Sequence, residues 1–245
     1  MAGGLAPLVP APPEVSAAEL IEGLGLRSRG APEGRPRVVA AMISSADGRA
    51  AVAGRSVGLG HPQDRAVLRG LRASADAVLV GASTVRAERY ANLFDDEHVA
   101  WRREAGLTRR PLIAIATRSG DVPWDVGLFA EEDARIVIHS QRRITVPNRI
   151  VARVDTRETA GLAETLSDLR RRDGAELVLC EGGPRLLREL VARELLDDLV
   201  LTVAPLLAAG DAPSALTGPA LDPPARLALD RAWRAEDHLF LHYTA

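Results

Sequence analysis

The chain has 245 residues, 47% of them hydrophobic, with a formal net charge of -2, so it can bury one large core and lacks the basic excess of a nucleic-acid or membrane-surface binder. All 31 lysine-or-arginine positions are arginine and Cys180 is the single cysteine, which excludes a P-loop or Schiff-base lysine, an internal disulfide and a cysteine-rich zinc site. No stretch has the roughly 18 consecutive apolar residues of a membrane span and no secretory leader pattern opens the chain, so a cytoplasmic protein is expected.

Residues 1–36 are rich in Pro and Gly and read as an arm, with one short helix where Ser16 and Glu19 form a capping box ahead of Leu20 and Ile21. The domain is expected over 37–245. There, apolar runs at 38–43, 77–80, 112–116, 136–139, 150–154, 176–180, 199–204 and 239–243 read as strands. Most are apolar on successive residues, which suits strands covered on both faces. Between them, 62–75 puts Val67, Leu68 and Leu71 on one helical face, 160–172 does so with Leu162, Leu166 and Leu169, and Pro184 opens a helix carrying Leu186, Leu187, Leu190 and Val191 inward. Strands alternating with helices predict a three-layer α/β domain with a mostly parallel, mixed sheet, its last run an antiparallel strand.

Gly182 and Gly183 stand between a strand and a helix beginning at Pro184. Backbone N–H groups without helical partners face outward there, which makes an anion site, or else only a tight turn. Glu181 sits at the carboxyl end of its strand, where open α/β sheets bind ligands. Asp47, with Gly48, is first a turn signal and is the second candidate catalytic carboxylate. Arg65, Arg69 and Arg72 share one helical face, a row that suits a phosphate monoester or simply solvent. The five histidines show no metal spacing, so no metal is expected; neither a Gly-x-Gly-x-x-Gly fingerprint nor a Gly-x-Ser-x-Gly elbow occurs.

Ser45 to Arg49, Gly54-Arg55-Ser56, Leu71-Arg72-Ala73, Asp76 to Val85, Glu181-Gly182-Gly183-Pro184, Leu196 to Leu199 and Ala204-Pro205 together resemble, in order, the riboflavin-biosynthesis reductases. This family is the C-terminal reductase domain of RibD, with a dihydrofolate-reductase-like fold. The likeness covers about residues 37 to 243, and 54–90 looks especially like stand-alone actinobacterial members. The resemblance implies a homodimeric enzyme that uses NADPH to reduce 5-amino-6-(5-phosphoribosylamino)uracil, by hydride transfer to the ribosyl C1′. It implies that Gly81, Thr84, Val85 and Glu88 line the cofactor, with Ile43 near the nicotinamide, and that Gly182, Gly183, Pro184, Arg185 and Leu186 hold its pyrophosphate. It also implies that Ser56 and Arg72 bind the phosphorylated substrate and that Glu181 meets it at the reaction centre. Arg118, just past a strand, is the expected partner of a 2′-phosphate.

Two positions depart from the family pattern. Ala41 stands where many members place a lysine, and Gly58 where a tryptophan is usual, which is expected to open the pocket. The zinc deaminase of the bifunctional members is not expected in residues 1–36, which lack cysteine. Two other functions fit the same residues: a dihydrofolate- or pterin-type reductase, for which Asp47 or Glu181 would pair with the ring, and a non-catalytic NADP-binding homologue.

Overall fold

The computed structural model describes residues 14–91, 93, 94 and 96–245. In chain order the elements are α1 (Ala17–Leu24), β1 (Arg37–Ser45), α2 (Pro62–Ser74), β2 (Ala77–Gly81), α3 (Ala82–Glu88), α4 (Asp96–Glu104), β3 (Leu112–Thr117), β4 (Ile136–Ser140), β5 (Val154–Glu158), α5 (Leu162–Asp173), β6 (Leu177–Cys180), α6 (Pro184–Ala192), β7 (Asp198–Ala204), β8 (Ala228–Ala235) and β9 (His238–Thr244).

The nine strands form one sheet in the order β5-β4-β3-β2-β6-β1-β7-β9-β8. From β5 to β7 every pairing is parallel; β9 runs antiparallel to both β7 and β8. Successive residues of the central strands supply two cores. Val39, Val78, Val80, Ile113 and Leu179 face one side with Leu20, Leu24, Val67 and Leu71 of α1 and α2. Val38, Ala40, Leu79, Ala114 and Val178 face the other with Leu166, Leu169, Leu187 and Leu190 of α5 and α6. The three-layer, mostly parallel sheet expected from the apolar runs is therefore the one observed.

Three local features refine that expectation. The run at 150–154 is not a strand: Asn148–Ile150 forms a 3-10 turn after Pro147, and β5 begins only at Val154. This edge strand is polar beyond Val154, and Arg157 ties it to α5 through Asp168 at 2.8 Å and Asp173 at 2.6 Å. β8 is an outer strand whose first four residues are exposed, so no buried apolar run announces it. Within the segment expected as an arm, α1 carries the capping box read from Ser16 and Glu19, and Leu20 and Leu24 are buried. Gly70 lets α1 approach α2, since a Cβ there would stand 2.8 Å from Cγ1 of Ile21.

α2 begins at Pro62, with the His61 ring accepting from the Gln63 N–H at 3.3 Å, and α6 begins at Pro184 after Gly183. α2 thus lies over one face of the sheet while α6 starts at the carboxyl end of β6. Ligand-binding crevices form at such ends in open parallel sheets.

Candidate active site

β2 and β6 stay joined beyond their last paired residues. The Glu181 N–H donates to the Leu79 carbonyl at 3.0 Å, and the Gly81 N–H to the Gly182 carbonyl at 3.1 Å. These two bonds place Glu181 at the carboxyl end of β6, beneath the last turn of α2. There Arg72 grips it with its guanidinium fork, Nε to Oε1 at 2.6 Å and Nη2 to Oε2 at 2.7 Å. The Tyr90 hydroxyl donates to the same Oε2 at 2.7 Å. The Glu181 side chain is 3% exposed. Burial first, and then the Glu181 charge, push the Tyr90 hydroxyl well above its ordinary range, so it remains a donor.

Beside this cluster lies a cavity of about 410 Å³, within the size range of small-molecule sites. Its apolar lining includes Ala41, Ile43 and Val200, and β1 and β7 pair Ala41 with Val200 and Ile43 with Thr202. Val67, Leu68 and Leu71 line it from α2, as do Ser56, Glu88, Tyr90 and Glu181 from other segments. A second groove of about 990 Å³ runs past Arg118, Ser119, His139 and Gln141. Gly81, Ser83, Arg185, Leu186 and Thr217 line both, so the two spaces meet where α6 begins. Thr84 shapes that junction: its Oγ1 accepts from the Gly183 N–H at 3.0 Å and would stand 2.6 Å from a Cβ at Gly183.

His139, on β4, borders the groove at 1% exposure, and neither of its ring nitrogens has a partner among the described residues. Burial holds its pKa down at about 4, so the ring is neutral at ordinary pH.

Residues 36–240 match the family model of the RibD C-terminal domain. The chain belongs to that family. Among relatives of this RibD C-terminal domain, the 2,5-diamino-6-ribosylamino-4(3H)-pyrimidinone 5′-phosphate reductase of Methanothermobacter thermautotrophicus is 25% identical over 221 residues, covering 86% of this chain and 98% of that protein. The riboflavin biosynthesis protein RibD of Escherichia coli is 28% identical over 220 residues, covering 77% of this chain and 53% of that one. The solved pyrimidine reductase-like protein of Corynebacterium diphtheriae shares the fold, with a TM-score of 0.76 at 21% identity over 94% of this chain and 98% of its own.

In this RibD C-terminal domain the cavity brings together Ile43, Ser56, Gly81, Thr84, Glu88, Glu181, Gly183, Pro184, Arg185 and Leu186, all expected from the sequence. Four other expected residues lie elsewhere. Val85 is fully buried in the core. Gly182 faces Met42, whose Sδ would stand 2.9 Å from a Cβ there. Arg72 turns its fork to Glu181 and is not part of the lining, so the expected clamp on a phosphate has no free fork to supply it. Asp47 is exposed in its turn and pins the loop after β7, accepting from the Ala208 and Ala209 N–H groups at 3.0 and 2.8 Å. Gly58, expected to open the pocket, is exposed outside it and packs on Val52.

Sequence reasoning did not single out Tyr90, nor that Asp64 and Thr202 line the cavity. The two polar residues Asp64 and Thr202 look like ordinary surface or strand positions until α2 is folded over β7.

Proposed function

We propose that this chain is a reductase of riboflavin biosynthesis that converts a ribosylamino-pyrimidine 5′-phosphate to its ribitylamino form. In that reaction the open imine at C1′ gains a hydride on carbon and a proton on nitrogen. The observation that carries the reading is the junction of the two spaces at Gly81, Arg185 and Leu186, in a chain of this family. One ligand fits the cavity and another the groove, and their reacting ends meet.

A nicotinamide cofactor suits the groove. The first turn of α6, which borders the groove, has no side-chain cap on its N–H groups. When bound, that cofactor supplies the hydride. NADPH is proposed over NADH because exposed Arg118, beside Ser119 in the lining, offers a guanidinium for a 2′-phosphate.

The chain's own residues then divide the work. Ala41, Ile43 and Val200 give an apolar surface that excludes water from the reacting carbon. Thr84 fixes the Gly183 N–H and keeps its own hydroxyl proton to donate toward a ligand. Glu181, held by Arg72 and Tyr90, presents a fixed carboxylate edge that orients sugar hydroxyls. The Ser56 hydroxyl, unpartnered among the described residues, faces the same cavity and suits the phosphate end.

The test is cofactor oxidation by purified protein with the ribosylamino-pyrimidine phosphate as the only acceptor. Substrate-dependent loss of NADPH with formation of the ribitylamino product supports the reading. No NADPH loss with this acceptor, in a folded protein that binds NADPH, overturns it; turnover of dihydrofolate then marks the pterin-type reductase, and no turnover the non-catalytic homologue.

A further inference from the structure

The end of α2 rests on a buried arginine. Arg102, on α4, is 1% exposed. Its Nη1 donates to the Ala73 carbonyl at 2.7 Å and the Ala75 carbonyl at 2.5 Å, Nε to the Thr108 carbonyl at 2.7 Å and Nη2 to Thr108 Oγ1 at 3.1 Å, all of them neutral acceptors. No carboxylate forms an ion pair with it among the described residues, and Asp76 favours its charge only through space. Burial pulls its pKa from 12.5 down to about 10, so the guanidinium keeps its charge at neutral pH.

A cation in such a place is costly, and an apolar side chain of similar volume is often the more stable choice. The guanidinium does what no apolar group does: it donates to carbonyls that the helix itself leaves without donors. The last carbonyls of a helix lack intrahelical partners and form the negative end of its dipole. At the end of α2 three successive carbonyls, from Ala73 to Ala75, accept from guanidinium groups, the middle one from Arg27 Nε at 2.9 Å. Arg72 directly precedes these residues, and its fork is what holds Glu181.

We propose that Arg102 is a positioning residue of the site: by fixing the carbonyls that follow Arg72, it sets where the Arg72 fork meets Glu181 and so how that carboxylate edge faces the cavity. Arg102 lines neither the cavity nor the groove, so its effect travels through α2. A displacement of about 1 Å in a group that orients a substrate costs up to about a hundredfold in rate. Plain loss of stability, by contrast, leaves the kinetics of the folded molecules intact. The expected effect on turnover rests on the reading of the cavity as the reductase site; the effect on the Arg72–Glu181 pair does not.

The test compares Arg102→Met, which keeps bulk and removes every donor, with Arg102→Lys, which keeps the charge. Arg157→Met, which cuts the tie between α5 and the edge strand β5, is the control for stability alone. Two readouts are taken on folded protein: the Arg72 Nε–H magnetic resonance, assigned by its disappearance in Arg72→Lys, and kcat, KM and NADPH Kd with the ribosylamino-pyrimidine phosphate. In Arg102→Met the Arg72 resonance is expected to broaden or to shift toward those of solvated arginines, and kcat/KM to fall about tenfold or more with NADPH Kd unchanged. Arg102→Lys should restore part of both, and Arg157→Met should move neither. In a Glu181→Gln background the kinetic effect of Arg102→Met should shrink below about twofold, because the group it positions is already altered.

An Arg72 resonance or a kcat/KM that stays unmoved in folded Arg102→Met overturns the inference, and so does a kinetic loss of equal size in the Glu181→Gln background. If Arg102→Met does not fold, Arg102→Lys decides by the same two readouts. Absence of turnover in the unmodified protein overturns the proposed reaction, and the Arg72 resonance then decides the positioning role by itself.

Discussion

Arg72 and Glu181, separated by 109 positions, meet through two parallel hydrogen bonds that close the last turn of α2 onto the end of β6. The pair is almost fully enclosed, with side-chain exposures of 14% and 3%. Removing one partner of such a pair leaves an uncompensated charge and costs about 3 kcal/mol or more. Arg72→Ala is therefore expected to lower unfolding free energy by about that amount in denaturant titration. An Arg72→Met, Glu181→Leu double variant should recover much of it. A cost below about 1 kcal/mol for Arg72→Ala would show that the pair is no more than a surface contact.

Thr84 and Gly183 form a second dependency. Thr84→Val removes the acceptor of the Gly183 N–H, a loss of about 1 kcal/mol. It is expected to raise the Kd for NADPH in a fluorescence titration. Gly183→Ala reaches the same end by steric displacement of Oγ1, so its cost should shrink in a Thr84→Ala background. Additive effects in that double-mutant cycle would separate the two residues.

Arg118→Ala tests the cofactor reading. A charge-assisted contact to a 2′-phosphate contributes about 1.5 to 3 kcal/mol, so the NADPH-to-NADH ratio of kcat/KM should fall on the order of tenfold or more. Equal use of both cofactors by the unmodified protein would remove the premise.

Asp47 gives a pH dependence of known sign. Its bonds from Ser45 first, then from the Ala208 and Ala209 N–H groups, lower its pKa from 3.8 to about 2. A depressed carboxyl stabilises the fold above its unfolded pKa and loses that contribution as pH falls through the folded one. The stability advantage over Asp47→Asn should be constant near neutrality and disappear between about pH 4 and pH 2. An advantage that persists below that window would place its origin elsewhere.

Ala41→Lys places an ammonium in the cavity that Asp64 and Glu181 also line, its aliphatic stem lying along Ile43 and Val200. We expect kcat on the ribosylamino-pyrimidine phosphate to rise, read against an unchanged NADPH Kd. A lower kcat in a folded variant would mean that this protein's chemistry runs without a cation at that place.

The strands that were legible in the sequence are those covered on both faces, such as β1, β2 and β6, because burial demands apolar residues in succession. β8 and the polar part of β5 escaped because an outer strand can keep its hydrogen bonds with exposed side chains. α4 escaped as well, being mostly polar; its buried Arg102 is satisfied by the Ala73, Ala75 and Thr108 carbonyls. At the site, the glycine junction was legible because its special residues are contiguous. The Arg72 grip on Glu181 and the Tyr90 bond were not, since each joins side chains that only the folded sheet brings together.

The position of β1 between β6 and β7 also orders events during synthesis. Arg37 pairs with Leu177 and Val39 with Asp198, whereas β2, β3 and β4 find parallel neighbours in the next strands to be made. A growing chain can thus lay down one flank of the sheet as it emerges while its first strand waits with both edges bare. Until β6 and β7 arrive to seal it, that early strand is the segment most in need of chaperone cover.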